Sequence, residues 1–190
     1  MRCTPPLTPE NTITILAWVL GKPRQIESEA ALYEAAIKIL MRRAHSVMEM
    51  KKALLRRCGD DKLIRNVVDR LKREGLIDDA RYANQFARQR AQSRKQGKFR
   101  IARELRARGV QDNHIEAALE ANALETDEAA MVRQRIERKL KLLRGEIDEK
   151  KIAALYRSLL RAGFASDVIR KQLERVTKED VGEIEAGEEE

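Results

Sequence analysis

The sequence predicts an all-α protein built from three similar segments in tandem, and three observations carry that expectation. All four prolines, Pro5, Pro6, Pro9 and Pro23, sit at the amino-terminal end. They leave a long proline-free run rich in Ala, Leu, Arg, Lys and Glu, a composition that favours uninterrupted helix. Along that run apolar residues recur at three- and four-residue spacings, the period of one helix face. The chain also repeats itself. With Cys58, Gly109 and Gly163 aligned, Leu54, Leu105 and Leu159 stand four positions earlier, while Ile64, Ile115 and Ile169 stand six later. Val68, Leu119 and Leu173 follow ten later, and Tyr33, Tyr82 and Val132 recur upstream. Each segment has room for three helices and is too small to bury all its apolar stripes by itself, so stacking into an array follows.

Residues 1–27 read as an amino-terminal arm, Pro-rich at first and then containing the only tryptophan, Trp18. Thr12, Ile13, Thr14 and Ile15 have strand propensity, yet the run stops at Gly21 and Pro23, which leaves a short strand or a helical turn, packed on the body or, as the alternative, offering a hydrophobic contact surface around Trp18. The first repeat, 28–77, carries Ala36, Ile37 and Leu40 on its first helix. Ser46-Val47-Met48-Glu49 reads as a capping box opening the second helix, and Leu63, Val67, Val68 and Leu71 line the third.

The second repeat, 78–124, begins with Asp78 and Asp79, two acids suited as caps to the positive end of a helix dipole. A helix from Asp79 to about Gln92 places Tyr82, Ala83, Phe86 and Ala87 on one stripe and turns Arg81, Gln85 and Arg88 away from it. Arg90, four residues beyond Phe86, falls on the apolar side, where an unpaired guanidinium is costly; Glu104 or another acid should pair with it. In the next helix, Lys98 to Ala107, the inner stripe is Ile101, Ala102 and Leu105, so Arg100 and Arg103 point out, with Phe99 near that outer face. Gly97 and Gly109 fit a turn and a C-terminal cap. Ile115, Ala118 and Leu119 follow on a helix capped by Asp112.

The third repeat, 125–177, opens near Thr126. Its three apolar groups are Met131, Ile136 and Leu140, then Ile152, Leu155, Tyr156 and Leu159, then Phe164, Val168, Ile169 and Leu173. The last stretch, 178–190, reads as an acidic disordered tail, with seven acids and no base after Lys178.

Charge points to the kind of partner. The formal net charge is +8, but with seven acids after Lys178, residues 1–178 carry +15. Ten basic residues against one acid, Glu104, fall between Arg81 and Arg108. That density wants a polyanion or an acidic protein surface. The candidate binding residues are Arg81, Arg88, Arg94, Lys95, Lys98, Arg100 and Arg103.

Other function classes find little footing. His45 and His114 have no Ser or Cys partner at motif spacing, so they read as surface or cap histidines, and no catalytic residue is assigned. The glycines are scattered singly, which excludes a phosphate loop and leaves no cofactor or metal expected. Cys3 and Cys58 form no CxxC motif, as suits a reducing cytoplasm. The apolar run Ile13 to Leu20 is too short to span a bilayer. Aromatic residues make up 4% of the chain, which speaks against base stacking and leaves phosphate contacts by Arg and Lys.

The residues from Leu76-Ile77-Asp78-Asp79-Ala80-Arg81-Tyr82-Ala83 through Phe86, Arg90, Gly97, Arg100-Ile101, Glu104-Leu105 and Arg108-Gly109-Val110 resemble the central signature of the RecX family, regulators of the RecA recombinase. Arg43, Ser46, Glu49 and Leu54 match as well, and Tyr156 through Phe164 is similar to the family's closing motif; the likeness spans about 30–175. Two positions depart. Ala53 stands where lysine is usual, and Cys58 where glycine is typical, with Gly59 next, so the turn is expected to slip by one residue.

The resemblance implies three three-helix repeats forming an elongated curved rod. It also implies a monomeric, non-enzymatic regulator that binds the RecA filament, touches single- or double-stranded DNA through phosphates, and modulates, usually by inhibiting, the recombinase. Two rivals stand beside it: a stand-alone nucleic-acid-binding protein with helix-turn-helix-like modules, and a helical scaffold for acidic proteins.

Overall fold

Four helix starts in this chain are capped by aspartates, Asp60, Asp78, Asp127 and Asp148, and three helix ends are followed by left-handed glycines, Gly75, Gly109 and Gly163. A computed structural model describes residues 26–142 and 148–175. Cys3, the arm around Trp18 and the acidic tail fall outside the described residues. Nine helices and no strand are found among the described residues. They are α1 (Glu29–Leu40), α2 (Val47–Leu55), α3 (Asp61–Arg73), α4 (Asp79–Arg94), α5 (Lys98–Ala107), α6 (Asp112–Glu125), α7 (Glu128–Leu140) and α8 (Glu149–Arg161), then α9 over 166–175. Among the described residues no helix is long and apolar enough to cross a membrane.

The described chain divides into two compact units. One holds the residues up to His45 and Glu49–Leu76, the other Ser46–Met48 and the residues from Ile77 onward. The second and third repeats thus share one unit.

In the first unit Asp60 caps α3, accepting from the amides of Lys62 and Leu63 at 2.7 and 3.3 Å. Ile64, Val67, Val68 and Leu71 then form its buried stripe, as the spacing predicts apart from Leu63, which is half-buried. The α1 stripe keeps Ala36 of the expected set but is rotated about a quarter of the way round the helix. Leu32, Ala35 and Ala36 are inside while Ile37 and Leu40 are half-buried, because the two small alanines form the face on which α1 packs. At the end of α3, Gly75 is left-handed (φ 66°), and the Leu76 amide reaches back to the Leu71 carbonyl at 2.9 Å, closing a Schellman turn. The expected slip at Cys58 does not occur, since neither Cys58 nor Gly59 has a positive φ. The Cys58 amide instead bonds the Leu54 carbonyl at 2.9 Å, and its buried thiol accepts from the Asp60 amide at 3.4 Å.

In the second unit the expected stripes of α4 and α5 are all buried, joined by Ala91, Val110, Ile115 and Ala118. A second cluster gathers Val132 and Ile136 from α7, Leu155 and Leu159 from α8, Ile169 from α9, and Phe164 from the link between α8 and α9. Each large aliphatic among these stabilises the fold by about 1.5–3 kcal/mol. Two of the expected caps do other work. Asp78 caps α4, accepting from the amides of Ala80 and Arg81, while the Asp79 carboxylate accepts from the Val47 amide at the start of α2, 2.9 Å away. Asp112 is the first residue inside α6, whose cap position, Gln111, makes no side-chain bond. Its carboxylate is drawn instead to Arg106 Nε at 2.6 Å.

Helices α5 and α8 meet end to end. Gly97 precedes α5 with an extended backbone and no side-chain cap. The first free amides of α5 are met by α8: Gly97 N donates to the Ala162 carbonyl at 2.9 Å and Phe99 N to the Gly163 carbonyl at 3.0 Å. The start of one helix and the turn that ends the other thereby satisfy each other's orphan groups.

Candidate nucleic-acid interface

The ten cations between Arg81 and Arg108 divide into those that hold the fold and those that face out. Arg90 belongs to the first kind. Its Nε lies 3.4 Å from Glu104 Oε2, with the two side chains only 14% and 22% exposed, and its guanidinium sits 4.7 Å from the centre of the Phe86 ring. The expected pairing of Arg90 with Glu104 is present. Arg108 also lies over Phe86, at 4.6 Å, and donates to the Glu104 carbonyl at 2.8 Å. Its own carbonyl accepts the Ser46 hydroxyl at 2.6 Å.

Glu104 is the hub of this network. Its Oε1 takes Arg100 Nε at 3.1 Å and Gln96 Nε2 at 3.2 Å. Burial acts to raise its pKa, but the Arg100 hydrogen bond, the Arg90 charge and the Gln96 hydrogen bond prevail, so the carboxyl lies below its ordinary value.

Arg100 therefore does not simply point out. Besides Glu104 it reaches the Arg161 carbonyl at 3.4 Å, because the α5–α8 joint brings the end of α8 beside it. Lys95 departs as well. It ends α4 in the left-handed conformation (φ 49°), is half-buried, and its carbonyl accepts from Arg135 Nη1 at 3.0 Å.

Arg81, Arg88, Arg94, Lys98 and Arg103 are exposed, on α4 and α5. Arg88 pairs with Glu125 at 3.1 Å and Lys98 with Glu128 at 3.9 Å. Such exposed pairs are worth about 0–1 kcal/mol and exchange readily for a phosphate. Among the described residues Arg94 and Arg103 make no ion pair. Phe99 is 60% exposed beside them, as its position on α5 predicts.

Arg135 on α7 was not among the candidates. Its pKa is lowered by burial and then by the charges of Arg138 and Arg100. The sequence signal is the run of bases on α7, but only the packing of α7 beside the end of α4 ties it to Lys95. The histidines offer no chemistry at this surface. His45 Nδ1 lies 2.9 Å from the Arg43 carbonyl and burial lowers its pKa, while His114 lies in the first turn of α6, its amide bonded to the Gln111 carbonyl at 3.1 Å. Among the described residues no three His, Cys, Asp or Glu side chains gather as a metal site.

The comparisons with known proteins agree with this architecture. The family model described as RecX, first three-helix domain, matches residues 33–71, and that of RecX, second three-helix domain, matches residues 78–119. The regulatory protein RecX of Halorhodospira halophila is 35% identical over 150 residues, covering 79% of this chain and 91% of the relative. That of Prosthecochloris aestuarii is 33% identical over 141 residues, covering 74% and 90%. The crystal structure of RecX from Lactobacillus salivarius shares the fold, with a TM-score of 0.70 at 23% identity over 78% of this chain and 96% of that one.

Proposed function

The chain belongs to the RecX family of regulatory proteins, and on that premise we propose that it binds the RecA filament on DNA and inhibits the recombinase. The observation that supports this reading is the set of exposed cations Arg81, Arg88, Arg94, Lys98 and Arg103 within the matched second domain or at its helix ends. A filament of recombinase on DNA offers both partners such a surface needs: phosphates for the guanidinium groups and protein for the exposed Phe99. The regulator acts as a monomer in the cytoplasm, without cofactor or catalysis. Its three repeats, 28–77, 78–124 and 125–177, lie along the filament groove and oppose subunit turnover or strand exchange.

The test is RecA-catalysed ATP hydrolysis on single-stranded DNA, followed with increasing substoichiometric amounts of this protein. Progressive loss of hydrolysis is expected, and an unchanged rate at every ratio overturns the reading. Preference for particular duplex sites without recombinase would instead favour a stand-alone DNA-binding protein.

A further inference from the structure

Between α4 and α7 lies a cavity of about 290 Å³ whose wall includes Arg94, Lys95, Arg135, Arg138 and Lys139 and, among the described residues, no acidic side chain. Five cations around one small volume repel one another unless something negative stands among them. Of the two acids on α7, Glu128 is engaged by Lys98 and by the Ala165 amide, and Glu137 is exposed and outside the wall. Arg135 is held in place by its bond to the Lys95 carbonyl, which steadies the guanidinium and leaves its remaining N–H groups for a ligand. Burial and the charges of Arg138 and Arg100 act against its protonated form, so an anion beside it would be stabilising. Ser93 and Gln134, also on the wall, add neutral donors.

We propose that this cavity is a phosphate pocket that takes a backbone phosphate of nucleic acid. The inference deepens the reading above and rests on it, adding third-repeat residues to the contact and giving it a defined seat. The cavity lies at the small end of ligand sites, about 300–1,000 Å³, which suits a phosphate with its flanking sugar. The charged wall is cationic throughout and the neutral donors are few, so the pocket positions a strand without reading its sequence.

The test uses the full chain and fluorescently labelled oligo(dT), with binding followed by anisotropy across a salt series. The variant R135Q/R138Q/K139Q is compared with R56Q/K62Q/R65Q, which removes three exposed charges from the first unit. The pocket variant should lose about tenfold or more in affinity, with a salt slope shallower by about 0.7 for each phosphate no longer neutralised. The control should change by less than about threefold. Acylation of Lys95 and Lys139, read by mass spectrometry, gives an independent measure, and oligo(dT) should protect both. Equal losses in the two variants, or no protection by oligo(dT), overturn the proposal. Protection by inorganic phosphate without protection by oligo(dT) also overturns it, assigning the pocket to the free ion. Retained inhibition of ATP hydrolysis by the parent protein would then show that the pocket fails while the family reading stands.

Discussion

Gly97 and Gly163 meet backbone to backbone: a Cβ on Gly97 would overlap the Gly163 carbonyl and the Phe164 amide, and a Cβ on Gly163 would overlap the backbone of Arg100. Gly163 is also left-handed (φ 89°). Gly163→Ala should therefore lower stability by at least about 2 kcal/mol. Gly75, at φ 66° with nothing within 4 Å of its built Cβ, supplies the comparison. Gly75→Ala should show only the backbone penalty, about 1 kcal/mol. Urea melts of both variants check the difference, and equal losses would show that the close approach contributes nothing.

The Arg90–Glu104 pair predicts an asymmetry. Removing Arg90 leaves Glu104 with Arg100 and Gln96, so Arg90→Ala should lower stability by about 2–3 kcal/mol. Removing Glu104 leaves Arg90 buried over Phe86 without its acid, and Glu104→Ala should lower stability by about 3–5 kcal/mol. Denaturant midpoints in the same buffer decide the order.

Acid sensitivity should trace to the same carboxyl. Because the pKa of Glu104 is depressed in the fold, its contribution is complete above the unfolded value, about 4.3, and is lost as pH falls from there through the folded value. Stability measured between neutral pH and the acid range should drop below about pH 4.5, and Glu104→Gln should flatten that slope. An identical slope in the variant would place the acid sensitivity elsewhere.

Charge reversal should separate binding from folding. Arg81, Arg88 and Arg103 are exposed, so replacing all three with Glu should leave the circular dichroism spectrum unchanged. It should also weaken binding to RecA-coated single-stranded DNA by at least about tenfold, with parent affinity falling steeply in salt. Arg100→Glu should instead lower the melting temperature, since Arg100 bonds Glu104 and the Arg161 carbonyl.

What the sequence reveals is whatever a helix period can carry. Tyr82, Ala83, Phe86 and Ala87 are inside because they share a stripe, and Arg90 is legible as the next member of that stripe, where only an acid makes burial tolerable. The stripe of α1 is misplaced because period by itself does not choose between Ile37 and Ala35 when small residues form the packing face. The roles of Arg100, Asp79 and Lys95 depend on Arg161, Val47 and Arg135, each 32 to 61 positions away. Those partners are set by tertiary packing, which local spacing does not encode. Arg135 and its cavity are hidden for the same reason.

The bonds from Val47 to Asp79 and from Ser46 to Arg108 also impose an order on synthesis. Ser46 and Val47 leave the ribosome 62 and 32 residues before the groups that receive them. Until Asp79 and then Arg108 have emerged, the nascent chain holds the opening turn of α2 without its full set of long-range anchors, and a ribosome stalled before Asp79 should present that turn to proteases and chaperones. The start of an early helix is thus settled by residues translated after the whole of its own repeat.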